Sequence, residues 1–139
     1  MQRLQTRPQF QAVLAGAIVA KTTHFALHRN ALDARPVQAE SGSPVDFPAA
    51  RSLFPVQDVW LGAMVPKRWA KRAVTRNAIK RQIYTVSADF SHQYPQAAYV
   101  VRLRRDFSRK EFISATSELL KQAVRAEIQS LMQAGANAP

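Results

Sequence analysis

The apolar residues near the start of the chain recur at the spacing of one helix face. The set consists of Phe10, Val13, Leu14 and Ala17. Thr6 and Gln9 stand three residues apart just before this set, which is the spacing of a capping box. A helix is therefore predicted over about residues 7–17, with its apolar face in the core.

The next residues, 18–29, change from helical spacing to a composition typical of a strand. They are rich in β-branched and aromatic side chains. In an extended chain, Phe25 and Leu27 would lie on one face, and His24, Ala26 and His28 on the other. One strand is predicted here.

The chain changes character over residues 30–57. This stretch contains four of the eight prolines and three of the nine acidic residues. Each proline lacks an amide donor and fixes its own φ, so a continuous helix or a central strand is disfavoured. We expect a disordered, proline-rich insertion.

A buried strand and an amphipathic helix follow in the middle of the chain. Residues 59–65 form an apolar run that ends at Pro66. After a basic connection, apolar residues return at spacings of four, three and four, which predicts a helix over about residues 73–90. Its buried stripe would consist of Ile79, Ile83, Val86 and Phe90.

The last part of the chain predicts one more strand and one more helix. Residues 97–103 alternate in the manner of a strand. Ser108 and Glu111 stand in capping-box register before a helix that runs past Leu131. The final residues, 134–139, are predicted to fray. The buried positions of the helix would be Phe112, Ala115, Leu119 and Ala123.

Composition places these elements in one domain spanning residues 1–139. A chain of this length with 47% hydrophobic residues can bury one core of ordinary size. There is no cysteine, which excludes disulfides, thiolate metal sites and cysteine nucleophiles and is compatible with the cytoplasm. The apolar run 12–20 is too short to span a bilayer and lacks signal-peptide flanks.

Charge is the most specific feature of the chain. The 20 basic and nine acidic residues give a formal charge of +11, and no acid occurs between Asp58 and Asp89. Seven cations fall within residues 67–81, which we call the basic segment. Such a run without interleaved acids repels itself, so a polyanionic partner is favoured over a merely solvated face. Nucleic acid is the first candidate and an anionic membrane surface the second.

Helical geometry predicts how the basic segment would contact RNA. Arg76, Lys80 and Tyr84 follow one another at four-residue intervals, and Asn77 and Arg81 lie beside them. These groups suit phosphate and ribose contacts, with the tyrosine ring available for stacking or its hydroxyl for a hydrogen bond. The remaining cations lie before the helix, whose first amides add positive potential for a phosphate. They are Lys67, Arg68, Lys71 and Arg72.

The sequence offers no arrangement typical of a nuclease active site. Two or three carboxylates would be needed to hold magnesium, or a histidine pair to perform acid–base chemistry. The acids are scattered, and none lies in the basic segment. His24 and His28 would lie about 13 Å apart along a strand, too far to share one metal ion. No catalytic and no metal-ligating residue is therefore predicted.

Two motifs resemble those of the bacterial ribonuclease P protein family. The segment LGAMVPKRWAKRAVTRNAIKRQI, residues 61–83, is similar to the family's strand, basic pair, basic connection and helix bearing R-N-R-x-x-K/R. Residues 3–13 resemble the family's opening R-L-x5-F-x2-V. The chain departs from the family at Ala78, which replaces the second arginine of R-N-R, and over residues 30–57, where the family usually has a short hairpin connection.

The resemblance implies a fold that no pattern of residues could predict. It is a small α/β (α+β) two-layer sandwich with a mixed central β-sheet, about three helices and a left-handed βαβ crossover, of the ribosomal protein S5 domain 2-like type. Left-handed crossovers break a strong preference for the right hand. The predicted order of elements agrees with this fold outside residues 30–57.

The resemblance also implies a function, that of the RNA-binding subunit of ribonuclease P, which removes the 5′ leader of precursor tRNA. The family's catalyst is its RNA with bound Mg²⁺, so the partners would be ribonuclease P RNA and precursor tRNA, in the cytoplasm, with no DNA or membrane partner. The implied RNA-binding residues are Lys67, Arg68, Lys71, Arg72, Arg76, Asn77, Lys80 and Arg81, with Tyr84 beside them.

The 5′ leader would bind a cleft between the first helix and the sheet, which points to Phe10, Val13 and Phe25. Phe10 at helical spacing also fits a core position, although an aromatic ring at a cleft edge can stack on an unpaired base. The alternative left open is a structural RNA-binding protein of ribosomal type without a role in cleavage.

Overall fold

The computed structural model describes residues 1–32, 54, 56–105 and 118–137. Within them, strands and helices build one sheet with helices packed on both of its faces. A short 3-10 turn, Ser91–Gln93, follows the second helix. In chain order the elements are β1 (Gln2–Arg3), α1 (Arg7–Leu14), β2 (Ala17–Lys21), β3 (Phe25–Asn30), β4 (Trp60–Met64), α2 (Ala73–Phe90), β5 (Ala98–Leu103) and α3 (Glu118–Ala136).

The sheet has five strands in the order β1-β4-β5-β3-β2. β4 runs parallel to both β1 and β5, whereas β3 runs antiparallel to both β5 and β2. The mixed central sheet is therefore confirmed. The parallel strands β4 and β5 are joined through α2, which is the connection that the resemblance predicts to be left-handed.

The single strand predicted over residues 18–29 is wrong, because this stretch forms two antiparallel strands, β2 and β3. A tight turn joins them. The Thr22 amide donates to the Phe25 carbonyl (2.8 Å), and the Thr22 hydroxyl accepts from the Phe25 amide (3.3 Å). Threonine is β-branched and resembles a strand residue, but its hydroxyl also closes turns.

Helix α1 has the predicted start and an earlier end. The capping box is confirmed, since the Thr6 hydroxyl accepts from the Gln9 amide and the Gln9 side chain accepts from the Thr6 amide. The helix ends at Leu14, not near residue 17. A Cβ at Gly16 would collide with the Arg29 carbonyl oxygen. Glycine therefore lets the chain leave the helix and pair at once with β3.

Because side chains alternate along a strand, the sheet has two different faces. On one, which we call the α2/α3 face, the two long helices cover the larger core. The strand residues of that core include Phe25, Leu27, Leu61, Tyr99, Val101 and Leu103. On the other, which we call the α1 face, the short α1 covers a smaller cluster formed by Leu4, Val13, Phe54, Trp60, Ala98 and Val100.

The two long helices differ in how well the sequence predicted them. In α2 the predicted stripe is confirmed, with Ile79, Ile83 and Val86 buried and Phe90 partly buried. In α3 the described part of the buried stripe is displaced by one residue, because Leu119, predicted to be buried, is 66% exposed and Leu120 only 4%. Ala123 is half-buried. The predicted start of this helix at residue 108, with Phe112 and Ala115, lies outside the described residues.

The frayed end predicted over residues 134–139 is wrong for residues 134–136, which continue α3. A Cβ on Gly135 would come within 2.5 Å of both the Leu27 side chain and the Tyr94 hydroxyl. That hydroxyl donates to the Met132 carbonyl (2.5 Å). Glycine thus allows the last turn to pack closely. Residues 138–139 lie outside the described part.

The insertion predicted over residues 30–57 lies mostly outside the described residues, which omit 33–53 and 55. The predicted first residue of the insertion is wrong, because the structure places it in a strand. Asn30 belongs to β3 and donates to the Ala12 carbonyl (2.8 Å). Phe54 is 2% exposed and packs edge-on against Trp60, with ring centroids 5.5 Å apart.

Candidate RNA-binding surface

The basic segment begins in a tight turn directly after β4. The Pro66 carbonyl accepts from the amides of Trp69 (3.0 Å) and Ala70 (3.1 Å). Ala70 is buried in the larger core and Trp69 packs against it, so the turn is anchored. Lys67 and Arg68 are consequently exposed at the end of the sheet. The Arg68 guanidinium lies 5.3 Å from the Trp69 ring centroid, within cation–π range.

Helix α2 starts without a side-chain cap and without an acid in its first turn. Arg72 is the N-cap residue, and its carbonyl accepts from the amides of Thr75 and Arg76 (3.1 Å each). The first-turn amides therefore add positive potential beside the exposed Lys71 and Arg72 side chains. This end of the helix strengthens the charge of the basic segment.

Arg76, predicted to contact RNA, is partly engaged within the protein. Its Nη1 donates to the carbonyls of Ala70 (3.1 Å) and Lys71 (2.9 Å). These bonds tie the first turn of α2 to the preceding loop. Arg76 therefore shapes the loop that carries the exposed cations, in addition to contributing charge itself.

The other cations of the basic segment have no carboxylate partner within the described ranges. The salt bridges found there lie elsewhere, at Met1–Asp58, His24–Glu127 and Lys121–Glu118. A neutralising anion must therefore come from outside the described residues. The exposed cations of the basic segment are Lys67, Arg68, Lys71, Arg72 and Arg81. The half-buried Lys80 and the exposed, uncharged Asn77 lie beside them.

Tyr84 has protein partners at both its hydroxyl and its ring. The hydroxyl oxygen accepts from the Ala63 amide (3.2 Å), and the Arg3 guanidinium lies 4.1 Å from the ring centroid. The ring predicted to be free for stacking is thus covered on one side by a cation. Arg3, on β1, adds an exposed charge beside α2 that the spacing within the basic segment does not predict. In the sequence, Arg3 could have been found from the opening R-L motif, of which it is the first residue.

Of the three residues predicted for the leader cleft, Phe10 alone is partly accessible. Its ring lies over Gly62, where a Cβ would be 2.6 Å from the ring. Val13, on α1, is fully buried between that helix and the sheet, and Phe25 is fully buried on the α2/α3 face. Neither can line a cleft on the α1 face, so these two predictions are wrong. The alternation of β3 places His28 on that face instead.

The α1 face also carries a polar pair that the sequence did not assign. Arg102 of β5 donates from Nε to Nε2 of His28 on β3 (3.1 Å). His28 is only 5% exposed. Burial, and secondly the positive charge of Arg102, lower the pKa of His28 below its ordinary value of 6.5. The ring is therefore neutral at pH 7 and able to accept this bond.

The described carboxylates do not converge on a metal site. Glu127 accepts from the Thr22 hydroxyl (2.5 Å) and from the amide (2.5 Å) and Nδ1 (2.7 Å) of His24, which joins α3 to the β2–β3 turn. Within the described ranges, no three His, Asp or Glu side chains converge as metal ligands would. No helix in the same ranges has the length and apolar character needed to cross a bilayer.

The profile of the Ribonuclease P family matches residues 1–127. The ribonuclease P protein components of Bordetella parapertussis and Bordetella bronchiseptica are each 32% identical to this chain over 126 residues, which cover 91% of this chain and 85% of theirs. The chain belongs to the ribonuclease P protein family. Membership makes it an RNA-binding subunit in tRNA 5′ processing, with nuclease activity residing in the assembled ribonuclease P.

Solved ribonuclease P proteins share the fold. The protein from Staphylococcus aureus matches with a TM-score of 0.61 and 15% identity, over 96% of this chain and 94% of that chain. A mutant of it, described as defective in mRNA degradation activity, matches with a TM-score of 0.60 at 15% identity. The α+β fold with a mixed five-stranded sheet and three helices is confirmed, while the hand of the β4–α2–β5 crossover stays a prediction.

Proposed function

We propose that the basic segment binds the catalytic RNA of ribonuclease P and that the α1 face binds the 5′ leader of precursor tRNA, so that the protein assists endonucleolytic removal of the leader. The observation that supports the first part is the exposed positive charge of the basic segment, which has no carboxylate partner in the described residues. RNA offers phosphates at the density needed to neutralise it.

The RNA-binding surface has two parts with different geometry. The loop part presents Lys67, Arg68, Lys71 and Arg72 around the first amides of α2, where a phosphate can also accept backbone hydrogen bonds. The helix part presents Asn77, Lys80 and Arg81 along one side of α2. Arg76 joins the two parts, and Tyr84 holds Arg3 beside the helix.

The substitution at Ala78 removes one guanidinium from the ribonuclease P motif but leaves another within reach. Ala78 is half-buried on α2, and Arg81 follows three residues later, on the neighbouring part of the helix surface. Arg81 is exposed. We expect Arg81, which is itself the last cation of that motif, to be the charge that remains on this part of the helix.

The leader-binding part of the proposal rests on Phe10. Its half-buried ring lies at the edge of α1 over Gly62, where the sheet has no side chain of its own. An aromatic ring in this position can stack on an unpaired base without discriminating among sequences. A leader of variable sequence requires that kind of contact.

The chemistry of cleavage is assigned to the RNA subunit. The described residues do not fit a protein-held Mg²⁺, because no group of acidic or histidine side chains converges there. Magnesium, which would stabilise charge on the reacting phosphate, is therefore held mainly by RNA in this proposal. The partners are ribonuclease P RNA and precursor tRNA in the cytoplasm, with no DNA or membrane partner.

The test is to add the purified protein to a ribonuclease P RNA and a precursor tRNA at low magnesium and to measure 5′ cleavage. Stimulation is expected because the protein's cations offset repulsion between the two RNA molecules. An unstimulated reaction would reject the proposal. Cleavage in the absence of any RNA subunit would instead show that the protein itself is a nuclease.

A matched pair of variants tests the assigned surface. Lys80→Ala with Arg81→Ala should weaken binding of ribonuclease P RNA and reduce the slope of log K against log salt concentration by about two, since each phosphate contact contributes about one. Lys121→Ala with Arg125→Ala removes the same charge from α3 and should leave the slope nearly unchanged. Equal effects of the two pairs would mean that only net charge matters.

A further inference from the structure

Arg102 occupies an unusual position for a cation. It lies on β5, the middle strand of the sheet, and its side chain is on the α1 face. In register, its neighbours are Met64 on β4 and Ala26 on β3. Central strands usually carry apolar residues at such places, and the residue two positions earlier on the same face is the fully buried Val100.

The direction of the Arg102 side chain is set by His28. Because Nε2 of His28 accepts from Nε of Arg102 (3.1 Å), the neutral ring must carry its proton on Nδ1. His28 is itself 95% buried beside β2, so its ring has little freedom to turn. The bond uses one of the five guanidinium donors of Arg102 and leaves the four terminal N–H groups to face another acceptor.

The charge of Arg102 has no counter-ion among the described residues, where no carboxylate lies within 4 Å of it. Lys21, paired with Ala26 in the sheet, adds a second cation to the same face. Nδ1 of His28 is buried and has no hydrogen-bond partner within the described part. Arg102 is half-buried, so its remaining N–H groups are open to an anionic, hydrogen-bond-accepting ligand, which would supply the counter-ion that the described residues lack.

The position of the Arg102–His28 pair relative to Phe10 indicates which class of ligand it would bind. Phe10 lies over Gly62, which is level with Val100 in the sheet, so Arg102 follows about 7 Å further along the same face. An aromatic ring and a cation at this separation match the alternating bases and phosphates of an unpaired strand. The basic segment cannot use Arg102 for the same RNA contact directly, since α2 packs on the opposite face.

We propose that Arg102, held in place by the positioning residue His28, contacts a phosphodiester of the single-stranded 5′ leader next to the nucleotide that stacks on Phe10. This inference rests on the proposed function and adds a residue to its leader-binding face. Arg102 binds substrate and takes no part in the chemical step. His28 acts only through Arg102.

The test compares binding of two substrates to the reconstituted holoenzyme, a precursor tRNA with a leader of several nucleotides and the same tRNA without a leader. Arg102→Ala should weaken binding of the leader-bearing substrate roughly tenfold, the effect of losing one charge-assisted hydrogen bond, and reduce its salt slope by about one. Binding of the leaderless tRNA and of ribonuclease P RNA should not change.

Arg105→Ala is the matched control, because Arg105 is an exposed cation just beyond the end of β5. It should lower the affinity for both substrates slightly and equally. Arg102→Gln, which keeps length and a donor, replaces Arg102→Ala if the latter fails to fold. Thermal unfolding of each variant shows whether the fold is retained.

Variants of His28 show whether this residue positions Arg102 for binding or only stabilises the fold. His28→Phe removes the acceptor but leaves the charge, so leader affinity should fall while the salt slope is retained, and His28→Gln should restore part of the loss through its carbonyl oxygen. The inference is overturned if Arg102→Ala affects both substrates equally or neither. If the unmodified holoenzyme shows no gain in affinity from the leader at all, the leader-binding part of the proposed function fails with it.

Discussion

The two faces of the sheet are built from the same strands but have opposite properties. On the α2/α3 face, every central strand contributes large buried apolar side chains, such as Leu27, Leu61 and Tyr99, and two long helices cover them. On the α1 face, the same strands contribute Gly62, His28 and Arg102, and an eight-residue helix covers part of them. The α2/α3 face therefore supplies the larger core, whereas the part of the α1 face beyond its smaller apolar cluster is left for binding.

The two faces also differ in the hydrogen bonding of their polar side chains. On the α2/α3 side, the Tyr94 hydroxyl is bonded to the Met132 carbonyl and the ring packs edge-on against Tyr99, with centroids 5.0 Å apart. On the α1 side, His28 keeps an unpaired nitrogen and Arg102 keeps its charge unneutralised by any described carboxylate. Buried polar atoms without a partner in the described residues also occur on the α2/α3 side, at Trp69 Nε1 and Gln82 Oε1. The α1 face differs because such an atom there lies in a residue bonded to a cation that has no described counter-ion, which indicates an anionic ligand.

The largest expected effect comes from the α2/α3 face. Ile128→Ala removes a fully buried side chain from the middle of α3 and should lower the free energy of unfolding by about 2–5 kcal/mol. Urea denaturation measures this, with the exposed neighbour Gln129→Ala as the control. A loss below about 1 kcal/mol for Ile128→Ala would mean that this face is not the main source of stability.

The next effect concerns the contact between α1 and the sheet. In Gly62→Ala, the new Cβ would lie 2.6 Å from the Phe10 ring and 2.7 Å from the Leu4 side chain, so α1 must shift. Overpacking of this kind should cost about 1–3 kcal/mol. Adding Phe10→Ala should recover part of the cost, and a double-mutant cycle by thermal unfolding measures the coupling. Strictly additive effects would contradict the contact.

A smaller effect should be confined to binding. Phe10→Leu keeps an apolar side chain over Gly62 but loses the aromatic ring, so stability should change by less than about 1.5 kcal/mol. Affinity for a leader-bearing precursor tRNA should fall by about 1 kcal/mol or more, the low end for loss of one base-stacking contact. Equilibrium binding with and without a leader separates the two. An equal loss of affinity for both substrates would mean that Phe10 is only a core residue and does not contact the leader.

The smallest effect is the pH dependence contributed by His28. Its pKa is lowered in the folded protein by burial and by Arg102, so below about pH 6.5, the ordinary value, the unfolded chain binds a proton that the folded chain does not. Stability from this group is therefore present above that pH and is lost as the pH falls. Melting temperatures at pH 7.5 and 5.5 should differ less in His28→Gln than in the parent chain.

His92→Gln is the control for that measurement, because His92 is exposed. It should leave the difference in melting temperature between the two pH values as large as in the parent chain. If His28→Gln leaves that difference unchanged as well, another group causes the pH dependence, and the neutral His28 that accepts from Arg102 loses its support.

Local features of the sequence predicted local structure well. The Thr6 and Gln9 capping box formed as expected, and the buried stripe of α2 follows from its spacing. The alternation that puts Ala26 and His28 opposite Phe25 and Leu27 was also visible. Each of these depends on residues within a few positions of one another, which is the range over which helical and strand periodicity acts.

Features that depend on distant partners were mispredicted or missed. The turn at Thr22 is stabilised by Glu127, which lies 105 residues away, and the last turn of α3 is ordered by contact with Leu27 and Tyr94. The same holds for Arg3 over Tyr84 and for Arg102 on His28. No spacing along the chain encodes such pairs, because they exist only once the strands have paired in register.

By itself, the sequence determined that this protein carries an acid-free run of cations in front of and along a helix, and that it shares the motifs of ribonuclease P proteins. Charge and short-range periodicity can be identified in a sequence without knowledge of the fold. Only the tertiary structure decided which helices cover each face of the sheet, and therefore that Phe25 lies in the larger core while His28 and Arg102 lie on the α1 face. The reason is that a face is defined by what packs on it, and α3, for example, packs on β2 and β3, which lie near the other end of the chain.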